Sequence, residues 1–196
     1  MNELEQHLKD ITEIKTMMER SSKVLSLSGL SGVSAGTIAI AGVTFARWVH
    51  TRVSPEDIIL YITLDAIVVL VCALAMALLF SSRMARKQGL PLWTATSRYL
   101  VIDLAIPLAA GGAFSFALMS ARAYALIPGT MLVFYGLALI NGSKYAMKEI
   151  RYLGLTELGL GIVALFLVQE GLNIWALGFG VMHIVYGLWM YNRFER

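Results

Sequence analysis

Four ionisable side chains interrupt the long apolar stretches of this sequence. Three are carboxylic acids, Asp65, Asp103 and Glu157, and the fourth is the imidazole of His183. An ionised carboxylate in hydrocarbon costs roughly 2.5–3.5 kcal/mol on insertion scales, so such acids usually face a protein interior or water and are paired. A carboxylate beside an imidazole can exchange a proton with it near neutral pH. These four residues are therefore the first candidates for function.

The composition indicates that these side chains lie in a membrane. Of 196 residues, 58% are hydrophobic and 15% are charged, whereas soluble domains average about 45–50% and about 25%. Apolar segments of about 20 residues, the length that crosses a bilayer, occur six times. We predict one all-α, polytopic domain, residues 24–196, with spans at about 24–46, 57–82, 99–121, 123–143, 150–169 and 171–192.

The basic residues predict the orientation of the spans. Thirteen of the 16 lysine and arginine residues precede span 1, join spans 2 and 3 or spans 4 and 5, or end the chain, and only Arg47, Arg52 and Arg122 lie on the other side. Loops rich in lysine and arginine stay in the cytoplasm. We predict a multi-pass protein of the bacterial cytoplasmic (inner) membrane with both termini cytoplasmic. Because the positive charge is concentrated at span ends, the pattern argues against nucleic acid as a partner.

Residues 1–23 are predicted to form a cytoplasmic amphipathic helix. Spacings of three and four residues place one apolar set on a single helical face, namely Leu4, Leu8, Ile11, Ile14 and Met18. Acids and bases nearly cancel on the other faces, so the helix lacks the basic surface that binds anionic lipid. The helix can fold beneath its own bundle, or it can contact a second copy or another protein. We expect a homo-oligomer or a protein partner bound through this segment, in addition to the lipid bilayer.

Small residues form a stripe on span 1, where Ser28, Gly32 and Gly36 repeat every four positions. Such a stripe lets two helix backbones approach closely. It predicts tight packing either against a neighbouring helix of the same chain or against a second copy.

The second half of the chain contains an internal repeat. Six residues of span 4 recur 51 positions later in span 6: Gly129, Met131, Tyr135, Gly136, Leu137 and Asn141 match Gly180, Met182, Tyr186, Gly187, Leu188 and Asn192. The starts of spans 3 and 5 are also alike, with Arg98-Tyr99-Leu100 matching Arg151-Tyr152-Leu153. We infer a bundle built from repeated two-helix hairpins.

Antiparallel hairpins place the polar residues at matching depths. A turn near Glu170 sets Glu157 level with His183, because both helices rise equally per residue. The same reasoning, with turns near Arg122 and Thr51, places Asp103 level with Asn141 and Asp65 level with Thr37. Glycines flank Glu157 and His183 on their own faces, one turn above and below: Gly154, Gly161, Gly180 and Gly187. These glycines predict that the two helices of this last hairpin pack closely against each other.

Two interpretations of the polar pairs remain open, and from the sequence we expect the first. In the first, the pairs mainly fix helix register, each contributing about 0.6–2 kcal/mol, and the protein is a non-catalytic membrane component with a role in envelope stress. In the second, Glu157 and His183 handle protons in a small proton-linked transporter or pore, and Asp103 and Asn141 extend the path. Replacement of Glu157 with glutamine distinguishes them.

Recognisable catalytic and cofactor motifs are missing from the sequence. It has no zinc-protease pattern, nucleophile elbow or phosphate-binding glycine loop, and its single cysteine, Cys72, has no partner in the chain. We therefore predict no enzymatic activity, no catalytic or metal-binding residues and no cofactor.

Four runs carry a family resemblance: residues 18–36 (MERSSKVLSLSGLSGVSAG), 134–145 (FYGLALINGSKY), 149–160 (EIRYLGLTELGL) and 175–187 (WALGFGVMHIVYG). With them, the chain resembles a family of short bacterial integral membrane proteins of unknown function. Its three glycine-rich hairpins are more loosely similar to acid-resistance membrane proteins built from repeated hairpins. The resemblance implies a six-span membrane fold and no established activity.

Overall fold

A computed structural model describes Ile11 and residues 28–195, apart from Leu90 and Leu92. The segment 28–195 is helical, with no strand in its described part. Five long helices come first: α1 (Gly29–Arg52), α2 (Ile58–Lys87), α3 (Ala95–Ser120), α4 (Ile127–Gly142) and α5 (Lys148–Phe166). Short 3₁₀ turns, Tyr124–Leu126 and Val168–Glu170, precede α4 and follow α5. Three consecutive segments then form one continuous helix, here called the last span: α6 (Gly171–Trp175), a π-helical segment (Ala176–Met182) and α7 (His183–Phe194).

Five helices of the described chain are long and apolar enough to cross a membrane: α1, α2, α3, the stretch Tyr124–Gly142 and the stretch Val168–Arg193. The remaining long helix, α5, is not among these five. It has 19 residues and carries three charged side chains in its first turn together with the buried Glu157. The architecture is therefore that of an all-α, multi-pass membrane protein. The predicted amphipathic helix at residues 1–23 lies outside the described residues.

The helices extend beyond several of the predicted spans. The first helix continues past Ala46 to Arg52, and the second continues past Ser82 to Lys87. Arg47 consequently lies inside α1 rather than in a loop, and its guanidinium donates to the side-chain oxygen of Asn173 on α6. Apolar composition indicates which residues cross the hydrocarbon layer. A helix continues beyond them into the interface, until other groups can form hydrogen bonds with its backbone.

Packing divides the bundle into two helix sets that meet at the last span. On one side, α1 packs against both α2 and the last span. On the other side, α4 lies between α3 and α5, and both α4 and α5 contact the last span. Because α2 and α3 flank the bundle, many of their apolar side chains are exposed, as expected for helices that face lipid.

Glycine allows α1 and the last span to pack backbone against backbone. A methyl group at Gly36 would lie 2.5 Å from the carbonyl oxygen of Gly180, and one at Gly32 would lie 3.1 Å from the Cα of Gly187. The predicted small-residue stripe thus packs against a helix of its own chain. Ser28 has a different role, because its hydroxyl caps α1 by accepting from the Leu30 N–H at 3.3 Å.

The same type of contact joins α4 to α5. A methyl group at Gly154 would lie 2.9 Å from the carbonyl oxygen of Gly136, and one at Gly161 would lie 2.6 Å from the backbone nitrogen of Val133. Gly154 and Gly161 therefore pack against α4, and Gly180 and Gly187 pack against α1. This corrects the prediction that these four glycines draw α5 and the last span together, since the two pairs contact α4 and α1 instead.

Candidate functional site

Glu157 lies at the centre of the described bundle. Its side chain extends from α5 toward the last span, where it meets Gly178 and His183. The residue is 0% exposed, and neither carboxylate oxygen has a hydrogen-bond partner among the described residues. A buried carboxylate without hydrogen bonds costs free energy, because water no longer solvates it.

The π-helical segment brings the last span against this carboxylate. Gly178 lies so close to Glu157 that a methyl group there would overlap Oε2, and it would lie 2.6 Å from Cδ2 of Leu132. Gly180, two residues later, faces the opposite way and contacts Ile40 of α1. The last span therefore presents glycines to both of its neighbours. Single π turns are rare and often mark functional sites.

His183, the first residue of α7, faces Glu157. Its Nδ1 lies 3.3 Å from Oε1 of Glu157 and 3.1 Å from the carbonyl oxygen of Gly178. On the other edge of the ring, Nε2 lies 2.8 Å from the hydroxyl of Tyr135 on α4. The structure thus brings together the predicted Glu157 and His183 and adds Tyr135 as a third member.

Aromatic rings pack against His183. The ring centroid of Tyr135 lies 5.3 Å from that of the imidazole and 4.8 Å from that of Phe179. The ring centroids of Phe179 and Trp175 are also 4.8 Å apart. Trp175, Phe179 and His183 follow one another at four-residue spacing along the last span. These rings fix the orientation of the imidazole and exclude water from it.

Glu157, His183 and Tyr135 can hold an exchangeable proton. With a neutral imidazole, Nδ1–H donates to the Gly178 carbonyl, Nε2 accepts from the Tyr135 hydroxyl, and a proton on Glu157 removes the unpaired buried charge. With a charged imidazole, Nδ1–H instead faces an ionised Glu157, and Nε2–H donates to the Tyr135 oxygen. The tautomer with its proton on Nε2 joins these states: Nδ1 then accepts from the protonated Glu157 carboxyl, and transfer of that proton across the 3.3 Å contact gives the charged pair.

The structure places Asp103 and Asn141 together, but through the backbone. The Asn141 amide donates to the main-chain carbonyl of Asp103 at 3.0 Å, and the Lys144 ammonium donates to the Asn141 side-chain oxygen at 2.8 Å. Pro107 explains this arrangement, because a proline has no N–H for the carbonyl four residues earlier, which is that of Asp103. Asn141 thus supplies the hydrogen bond that Pro107 cannot.

Asp65 and Thr37 are not brought together. The Thr37 hydroxyl donates to the carbonyl of Val33 in its own helix at 2.8 Å. The half-buried carboxylate of Asp65 lies instead beside Gly42, where a methyl group would lie 3.5 Å from Oδ2. The prediction was wrong because α1 continues to Arg52, which moves the turn and changes which residues are level.

Sequence reasoning missed Tyr135 and Gly178 as parts of this site. Tyr135 belongs to the internal repeat, but its equivalent is Tyr186, so the repeat gives no sign that it meets His183. Gly178 lies two residues before Gly180, the first repeated glycine of the last span, and has no counterpart in the repeat. Their roles depend on contacts among α4, α5 and the last span.

Within the described part of the chain, no group of three or more His, Cys, Asp or Glu side chains could hold a metal ion. No family model, curated protein or solved structure matches this chain. The function must therefore be argued from the site itself.

Proposed function

We propose that this chain is a six-span protein of the bacterial cytoplasmic membrane that carries out proton-linked transport, in which Glu157, His183 and Tyr135 bind and release the proton. One observation carries the proposal: a fully buried carboxylate has no hydrogen bond within the described chain and lies 3.3 Å from an imidazole. Ionisable groups inside membranes are expensive, and they commonly mark ion or proton pathways.

The surroundings of Glu157 favour a proton over a metal cation. Cations such as Na⁺ or Ca²⁺ need several oxygen ligands, whereas Gly178 and Leu132 occupy the space beside Oε2. An imidazole at 3.3 Å would repel a cation whenever it is charged. A proton needs neither space nor additional ligands.

Six crossings with both termini on one side of the membrane fit the contacts best, and the basic residues on that side favour the cytoplasm. Although α5 is less apolar than the other spans, it packs along α4 from Gly154 to Gly161, which supports a crossing beside that helix. At the chain ends, the Glu195 carboxylate accepts from the Ser28 hydroxyl at 3.0 Å and from the Gly29 N–H. This contact joins the start of α1 to the end of α7, as expected for an even number of crossings.

The hairpin-repeat origin is also part of this proposal. Gly129 and Gly136 of α4 correspond to Gly180 and Gly187 of the last span, and both pairs contact glycine on a neighbouring helix. We further propose that residues 1–23 contact a second copy or a partner protein.

A second candidate is supported by the tightness of the packing. Methyl groups have no space at Gly36, Gly136 or Gly178, which suits a non-catalytic membrane component tied to envelope stress, whose polar contacts fix helix register. The hydrogen bond from Asn141 to the Asp103 carbonyl already has this character. The unpartnered Glu157 does not, because a residue that only fixed register would be stabilised by hydrogen bonds.

Proton flux in liposomes tests the proposal. Purified protein is reconstituted with an internal pH dye, and flux is measured between about pH 5 and about pH 8, the range in which histidine changes charge. We expect flux in the native protein and none in Glu157→Gln or His183→Ala. Thr156→Ala, next to Glu157 on the half-buried side of α5, is the control and should retain flux.

Circular dichroism and size-exclusion chromatography establish that each variant folds. Absence of flux above empty liposomes in the native protein would contradict the proton-linked role. Folded variants that conduct like the native protein would show that Glu157 and His183 serve only helix packing.

A further inference from the structure

One side of α4, between α3 and α5, is not covered by another helix of the described chain. The other sides of α4 contact α3, α5 and the last span, and Leu137 on the remaining side is 41% exposed. On α5, Leu155 and Ile162 lie roughly opposite Glu157 around the helix and are 49% and 46% exposed. These three residues form an exposed apolar surface on the side of α4 between α3 and α5, here called the α3–α5 groove.

Basic side chains collect at one end of this groove. Lys148 and Arg151 precede Leu155 on the same side of α5, at helical spacing. Lys144 lies in the loop between α4 and α5, where its ammonium is held by the Asn141 oxygen at 2.8 Å. All three cations are exposed, and none forms an ion pair within the described residues. Since an ammonium has three N–H donors, Lys144 retains two for another acceptor.

Acidic side chains do not neutralise this end. Glu149, the acid in the first turn of α5, is directed to Arg193 of α7 at 4.0 Å. The half-buried Asp103 borders the groove on α3. Three cations and one carboxylate leave the end of the groove with net positive charge.

We propose that the α3–α5 groove binds one anionic phospholipid. Its phosphate contacts Lys144, Lys148 and Arg151, and an acyl chain lies along Leu137, Leu155 and Ile162. The cations lie where α4 ends and α5 begins, which is the level of the headgroups when these helices cross the membrane. Because the floor of the groove is apolar and the cations lie only at its end, the arrangement matches a lipid better than a free anion. The proposal does not depend on proton transport.

Lipid retention by the purified full chain tests this site. Native mass spectrometry measures the binding of phosphatidylglycerol and phosphatidylcholine to the native protein and to the triple variant Lys144→Gln, Lys148→Gln, Arg151→Gln. The control Arg83→Gln, Arg86→Gln, Lys87→Gln removes the same charge from the same membrane side, at the end of α2. Phosphatidylglycerol affinity should fall about a hundredfold in the groove variant and change less than about twofold in the control.

Three results would overturn the proposal. Equal losses in both triple variants would indicate attraction by the whole basic surface rather than by the groove. Equal affinity for phosphatidylcholine would show that the charge of the lipid is irrelevant. Inorganic phosphate that displaced phosphatidylglycerol at equal concentration would indicate a free-anion site. If the groove variant does not fold, the single substitution Arg151→Gln should reduce affinity about fivefold.

Discussion

The side-chain amide of Asn141 donates a hydrogen bond to the main-chain carbonyl of Asp103, 3.0 Å away on the neighbouring helix. Pro107, within α3, leaves that carbonyl without its helical N–H partner. The carbonyl that a proline leaves unpaired in one apolar helix is thus hydrogen-bonded by a side-chain amide of the neighbouring helix. The polar side chain at Asn141 is explained by this contact.

Replacing Asn141 with alanine should lower the free energy of unfolding by about 1–3 kcal/mol, because the Asp103 carbonyl loses its partner in a low-dielectric environment. In a Pro107→Ala background the restored N–H bonds to this carbonyl, so the same substitution should cost less. Chemical unfolding of the four proteins in micelles measures this double-mutant cycle. Equal costs of Asn141→Ala in both backgrounds would contradict the compensation.

Gly178→Ala should destabilise the bundle by about 1–3 kcal/mol, the usual cost of overpacking. The added methyl would overlap the Glu157 carboxylate and crowd Leu132. Gly159→Ala on α5 is the matched control, because a methyl there meets no atom within 4 Å. The control should be neutral or stabilising by about 0.5–1 kcal/mol. Thermal unfolding compares the two variants, and similar melting temperatures would show that Gly178 does not pack as described.

Tyr135→Phe should leave the fold intact and slow proton flux about tenfold, equivalent to the loss of one hydrogen bond of about 1.4 kcal/mol. The substitution removes the hydroxyl that contacts Nε2 of His183 at 2.8 Å. Tyr152→Phe is the control, since this tyrosine is 58% exposed on α5. The liposome assay measures both variants. Unchanged flux in Tyr135→Phe would remove Tyr135 from the proton pathway.

Gly36→Ala should lower stability by about 1–3 kcal/mol without changing the oligomeric state. The methyl would lie 2.5 Å from the Gly180 carbonyl oxygen and push α1 away from the last span. Gly112→Ala is the control, because its methyl has no atom within 4 Å. Unfolding experiments and analytical ultracentrifugation in detergent measure the two effects. A shift from oligomer to monomer in Gly36→Ala alone would assign the stripe to an intermolecular contact instead.

The approach of Glu157 to His183 was predictable from counting residues on two antiparallel helices. The same count failed for Asp65 and Thr37, because it requires the turn position, and α1 extends six residues beyond Ala46 to Arg52. When the turn between two helices is short and its position is clear, the residues that lie at the same depth can be predicted. When a helix continues into the interface, the turn moves and different residues lie at the same depth. For Asp103 and Asn141 the depth was useful, but the acceptor is a backbone carbonyl rather than the carboxylate.

The sequence by itself determined an all-helical, multi-pass membrane protein and the acids and histidine within its apolar helices. Both follow from local rules, since an apolar stretch of about 20 residues must satisfy its own backbone in lipid and a charge within it needs a partner. Tertiary structure decided which glycine faces meet, that Tyr135 and Gly178 complete the site, and that both oxygens of Glu157 lack a hydrogen bond among the described residues. These features arise where three helices approach one another, and the spacing of residues along one helix does not encode how its neighbours are rotated.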